Sequence, residues 1–135
     1  MARIVLNNCY VLFGSTDISD HVSSISLSSS YDIVETTAFG STAKTRVAGL
    51  ADNSVTLELH QDYATSSIEQ TIYPTLGTAV TIAVKPVNGT TTVLNPQYSF
   101  STVVSEWTPL NGAVGELATA SVSWPISGAI TKTTS

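Results

Sequence analysis

Residues 54–60 read Ser-Val-Thr-Leu-Glu-Leu-His, so Val55, Leu57 and Leu59 alternate strictly with Thr56, Glu58 and His60. Successive side chains of a strand point to opposite faces, and this pattern buries one face and wets the other. The same period runs through residues 23–35, where Ile25 and Leu27 oppose Ser24, Ser26 and Ser28. It returns at Val80, Ile82 and Val84, and again over residues 116–124, where Ala118, Ala120, Val122 and Trp124 oppose Thr119, Ser121 and Ser123. Residues 3–6 and 9–13 are short apolar runs joined by a hairpin-like turn at Asn7-Asn8. Residues 97–107 alternate through Tyr98 and Phe100, then slip in phase at Val103-Val104, which predicts a bulge. Gly14-Ser-Thr-Asp17, Pro86-Val-Asn-Gly89, Asn95-Pro96 and Pro109-Leu-Asn-Gly112 read as turns between these runs.

One stretch keeps a different period. Ile68, Ile72 and Leu76 fall four apart, Glu69 follows Ser66 at capping-box spacing, and Pro74 and Gly77 mark a stop. The expectation is a mainly β chain: a β-sandwich or barrel with one short flanking α-helix at about residues 66–76. Residues 1–135 read as a single domain without repeats, and residues 131–135 as a frayed, flexible tail.

Between the strands ending near Glu35 and beginning near Ser54 lies Thr36-Thr-Ala-Phe-Gly-Ser-Thr-Ala-Lys-Thr-Arg-Val-Ala-Gly-Leu50, with neither period. Connections beyond roughly 12–15 residues without secondary structure are uncommon in compact domains and are usually functional or disordered. Low charge and the apolar Phe39, Val47 and Leu50 fit disorder poorly. Gly40 and Gly49 stand near the ends, and Lys44 and Arg46 are two of only five basic residues in the chain. The long loop at about 36–50 therefore reads as an arm that docks on another chain, with Phe39, Gly40, Lys44, Arg46, Val47, Gly49 and Leu50 as its contact residues.

Charged residues are 11% of the chain, against roughly 25% in ordinary soluble domains. Their place is taken by 19 Ser and 20 Thr. A hydroxyl surface repels neighbouring copies weakly, which suits an assembly subunit and equally a secreted β-domain. Net charge is −5, and Arg3, Lys44, Arg46, Lys85 and Lys132 are too dispersed to neutralise a phosphate backbone. Cys9 is the sole cysteine, which excludes an intrachain disulfide and predicts a small apolar packing role. The start lacks the apolar core of a signal peptide, and no apolar run approaches the ~20 residues that span a bilayer, so no membrane association is expected.

Sites of chemistry are hard to assemble from this sequence. His21 lies near Asp17 and Asp20, and His60 near Glu58 and Asp62, but zinc needs three or four converging ligands. Strand alternation puts Glu58 and His60 on the wet face with Thr56, so they read as solvated. No Gly-x-Ser-x-Gly elbow, P-loop or Gly-x-Gly-x-x-Gly cradle is present. Asn88-Gly89-Thr90 fits a glycosylation sequon but is more simply a turn. The expectation is no enzyme, no catalytic or metal-binding residues and no cofactor. Trp107 and Trp124 read as core residues, with a sugar-binding platform as the alternative.

The run from Thr36 to Leu50, followed by residues 52–59 and Gln61-Asp62-Tyr63, resembles the major tail (tail tube) proteins of long-tailed, siphovirus-like bacteriophages. The segments Tyr73-Pro-Thr-Leu-Gly77, Asn95-Pro-x-Tyr98 and Val114-Gly-Glu-Leu117 are similar as well, so the resemblance covers about residues 10 to 125. It implies a β-sandwich with a flanking helix, homohexameric rings stacked into a tube, and a lumen lined by a continuous β-barrel. DNA would pass through the lumen without specific binding. The long loop would reach a neighbouring subunit or ring. Partners would be further copies of the chain and other tail proteins, in a virion tail assembled in the host cytoplasm. A capsid decoration protein or another small virion component is the second expectation, and a carbohydrate-binding β module the third.

Overall fold

The computed structural model describes residues 5–63 and 67–134. Strands β1 (Tyr10–Phe13) and β2 (Thr16–Asp17) form a tight hairpin, followed by a 3-10 turn at Ser19–His21. Two long strands come next, β3 (Val22–Glu35) and β4 (Arg46–His60). Helix α1 (Ile68–Ile72) runs into a 3-10 turn at Tyr73–Thr75. The remaining strands are β5 (Ala79–Lys85), β6 (Gln97–Val103) and β7 (Thr119–Thr133). All pair antiparallel in one seven-stranded sheet of order β2-β1-β5-β6-β7-β4-β3.

β7 turns this sheet into two layers. Its first half, from Thr119 to Pro125, pairs with β4, and its second half, from Ile126 to Thr133, pairs with β6. The corner is built from residues that look like strand breakers. Pro125 keeps its carbonyl, which accepts a hydrogen bond from the fully buried Thr102 hydroxyl at 2.8 Å. Gly128 has φ +91°, a left-handed backbone that suits glycine, and sits where the β6–β7 register shifts. Its carbonyl accepts from Asn53 Nδ2 at 3.0 Å, and Ser29 Oγ donates to Asn53 Oδ1 at 2.5 Å. Asn53 is buried, and both ends of its amide are satisfied there.

Between the layers lies one core of β4 residues Val55, Leu57 and Leu59, β7 residues Val122 and Trp124, and Val11, Phe13, Ile82 and Phe100 from the other side. The Phe13 and Trp124 rings meet across it at 5.8 Å, tilted 52°. Ile68 and Ile72 of α1 are buried against the same cluster, four residues apart on one helical face. Residues 104–108 run beside the half of β7 that β6 leaves unpaired. Ser123 N–H donates to the Glu106 carboxylate at 2.8 Å, and Trp124 Nε1 donates to the Glu106 carbonyl at 2.8 Å.

The mainly β architecture with one short flanking helix follows the expectation from the sequence. Several boundaries differ. Residues 131–133 are not a frayed tail but the end of β7, paired with Gln97, Tyr98 and Ser99. β6 stops at Val103, and the irregularity lies at Ser99–Ser101 opposite Gly128. β1 pairs with β2 and β5, while residues 5–8 form no strand; residues 3 and 4 of the expected first strand lie outside the described residues. Ser66 of the capping box also lies outside them. The helix N-cap is Ser67, whose side chain makes no cap bond.

Candidate assembly arm and its surroundings

β3 and β4 continue past the body of the sandwich as a two-stranded arm. Tyr31 pairs with Ala51, Ile33 with Ala48, Val34 with Val47 and Glu35 with Arg46. Here the expected loop is shorter than residues 36–50: residues 46–50 belong to β4, and the connection is 36–45. Both faces of the arm meet solvent, so Val34 and Val47 are exposed on one side and Tyr31 and Ile33 on the other. A strand wet on both faces has no reason to alternate, and this hides it in the sequence.

The tip is ordered by its threonines. Thr36 N–H donates to the Thr45 carbonyl at 2.8 Å, the two hydroxyls meet at 2.8 Å, and Thr45 N–H donates to the Thr37 hydroxyl at 2.9 Å. Ser41 N–H closes a turn onto the Ala38 carbonyl at 3.2 Å, with Gly40 at φ +89°. That geometry is a type II turn with Phe39 at its second position. Phe39 is consequently fully exposed at 109%, and Leu50 is 81% exposed. The hydrogen-bonded turn holds Phe39 out in solvent, and Leu50 stands in solvent on β4.

Sites named from the sequence thus fall along a single hairpin. Phe39 and Gly40 form the apex, and Lys44 lies on the returning side of the tip. Arg46 and Val47 open β4, and Gly49 and Leu50 follow where the register with β3 shifts. A Cβ on Gly49 would come within 3.3 Å of the Asp32 carbonyl and 3.4 Å of Val34, which explains the small residue there. Lys44 and Arg46 are exposed, and among the described residues both ion pairs belong to His21 instead. Tyr31, Ile33 and Val34 add exposed apolar side chains from the β3 side. Their signal was the adjacent apolar pair Ile33-Val34, which breaks the alternation.

His21 does not gather Asp17. Its Nδ1 meets Asp20 Oδ1 at 2.9 Å, and its Nε2 meets Asp62 Oδ2 at 2.9 Å. Ser67 Oγ donates to the same Asp62 oxygen at 2.8 Å. The cluster ties the 3-10 turn to the chain after β4 and to the start of α1. Asp17 is occupied by Ser19. Among the described residues no group of three or more His, Cys, Asp or Glu is arranged to hold a metal ion.

Burial of the His21 ring opposes its charge, but hydrogen bonds to Asp62 and Asp20 and the charge of both carboxylates outweigh it and raise its pKa. A raised folded-state pKa adds stability below the unfolded value of about 6.5, and that stability disappears as pH rises through the folded value. The pair is partly exposed, so the effect is about 0.5–1 kcal/mol. His21→Gln is expected to lower the melting temperature by about 2–4 °C in mildly acidic buffer and by less in alkaline buffer. A pH-independent loss in differential scanning fluorimetry contradicts the charged clasp.

Trp124 is fully buried and Trp107 is 9% exposed, which removes both from a sugar-binding platform. Cys9 is half-buried, its Sγ donating to the Lys85 carbonyl at 3.1 Å. No helix among the described residues is long and apolar enough to cross a membrane.

No protein-family model and no curated protein matches the chain. Solved structures do match, over nearly its whole length. A chain of the SPP1 tail tube superposes with a TM-score of 0.76 at 10% identity, covering 98% of this chain and 80% of that one. A chain from the virion of a native gene transfer agent particle gives 0.75 at 13% identity, covering 97% and 99%. A chain of the anti-feeding prophage baseplate gives 0.60 at 11% identity, covering 99% and 98%. The tail tube resemblance of the sequence is met by a tail tube fold, and this chain shares that fold with subunits of a phage tail tube, a gene transfer agent virion and a prophage baseplate.

Proposed function

We propose that the chain is a structural subunit of a phage-type tail, forming homohexameric rings that stack into a tube through which DNA passes. The observation that carries this reading is the exposed arm on a fold matched end to end by a tail tube chain. A monomer gains nothing from holding Phe39, Ile33 and Leu50 in water. Docked in the next copy they are buried at roughly 25 cal/mol per Å². The role is structural, without catalysis or cofactor. β3 is an edge strand of 14 residues, and a closed ring turns such an edge from a hazard into a joint. The net charge of −5 disfavours DNA adhesion to the lumen. The subunit then works in the virion, after assembly in the host cytoplasm, beside other tail proteins. A place in the baseplate rather than along the tube is the second reading, favoured by the baseplate match.

Negative-stain electron microscopy of the concentrated protein tests this. Hollow six-fold rings or stacked tubes are expected. Trimers that bind only a preformed shell contradict the tube and favour a decoration protein.

A further inference from the structure

The sandwich leaves part of its core open. Where β5 ends, β6 begins and β7 ends, a groove of about 540 Å³ runs between β3 and the opposite layer. Half-buried Ile25, Leu27, Tyr98 and Ile130 line it, with Lys85 and Lys132 also at its wall and no carboxylate. At the other end of β7 the connection from β6 presents Leu110, Val114 and Leu117, which are 84%, 106% and 62% exposed, together with Glu116. This loop is fixed in place: Gln61 Nε2 donates to the carbonyls of Thr108 and Pro109 at 2.7 and 3.1 Å, and Thr119 N–H donates to the Asn111 carbonyl at 3.2 Å.

We propose that the groove seats residues 110–117 of a second copy of the chain, an interface that rests on the assembly reading above. Charge favours this occupant over the arm tip. The arm tip brings Lys44 and Arg46 towards a wall that already holds two lysines, whereas residues 110–117 bring only Glu116. None of residues 110–117 lines the groove of its own chain, and the bonds from Gln61 and Thr119 hold the loop where it is, so the contact is intermolecular. A surface that fits a different surface of the next copy is heterologous, and such contacts close into rings or extend as filaments. Leu110, Val114 and Leu117 cover Ile25, Leu27, Tyr98 and Ile130, and Glu116 faces Lys132 and Lys85.

Cys9 lines the groove and supplies the test. Val114→Cys protein is treated with a short bismaleimide at mildly alkaline pH, because burial raises the Cys9 thiol pKa. Each copy then carries both partners, so a ladder of multimers is expected on a denaturing gel, and Cys9→Ser in the same background reduces it to dimers at most. Lys132→Glu weakens laddering roughly two- to fivefold, the scale of a rim ion pair, and Glu116→Lys restores it. Absence of a ladder from protein that sediments as rings or tubes overturns the groove contact and leaves the assembly reading standing. A ladder from Phe39→Cys in place of Val114→Cys gives the groove to the arm and overturns the proposal. Protein that sediments as a monomer at every concentration overturns both.

Discussion

Trp124→Ala is expected to lower the folding stability by about 3–5 kcal/mol, the usual loss for a buried aromatic. Three separate losses converge on this residue. The indole is 0% exposed and meets the Phe13 ring at a tilt, the contact that joins β7 to the opposite layer. Its Nε1 donates to the Glu106 carbonyl, so truncation also leaves that carbonyl without its partner beside the core. The segment held by this bond runs along the half of β7 that β6 does not pair, and a looser strap uncovers Val104 and Trp107. Domains of this size carry about 5–15 kcal/mol in total, so the variant sits near the edge of folding. Urea titration below the concentration of assembly is the suitable measurement, since oligomers raise apparent stability by mass action. At about 1–3 kcal/mol/M the midpoint falls by roughly 1–5 M. A loss below about 1 kcal/mol means that the two layers do not depend on this ring.

Most of the body was legible because the strands there are wet on one face only. Val55, Leu57 and Leu59 alternate in the sequence and are fully buried in the fold, and Val122 and Trp124 behave alike. Legibility ended where that asymmetry ends. Residues 46–50 form a strand with both faces in water, so Arg46-Val-Ala-Gly-Leu50 carries no period and reads as loop. β7 beyond Trp124 contains Pro125 and Gly128, which punctuate chains in most settings. Here the proline pairs with Ser54 on β4 and the glycine supplies the bulge that lets one strand serve two layers. The His21 clasp was hidden for another reason. The local spacing pointed to Asp17 and Asp20; Asp20 does meet His21, whereas Asp17 is engaged by Ser19 and the other partner, Asp62, is 41 residues away. The arm was found as an interruption of the pattern, and its shape came only from the register of β3 on β4.

That arm carries the other large expected effect. Phe39→Ala should raise the concentration needed for rings or tubes by about 10- to 100-fold, because burying a phenylalanine contributes about 1.5–3 kcal/mol and each 1.4 kcal/mol is tenfold. Folding stability should move by less than about 0.5 kcal/mol, since the side chain touches only solvent in the isolated subunit. The contrast with Trp124 is the point of the pair: one residue holds the subunit together and leaves assembly affected only indirectly, the other does the reverse. Lys44→Glu with Arg46→Glu probes what sets the register of the joint. Neither cation has an ion-pair partner among the described residues, so the reversal leaves the subunit's own contacts intact. If the two cations meet carboxylates of the next copy, the double variant folds normally and tube growth stops, because like charges then face each other at the joint. Electron microscopy and sedimentation read both outcomes, and tubes of normal length from the double variant reject the electrostatic half of the docking scheme while leaving the apolar half to be judged by Phe39.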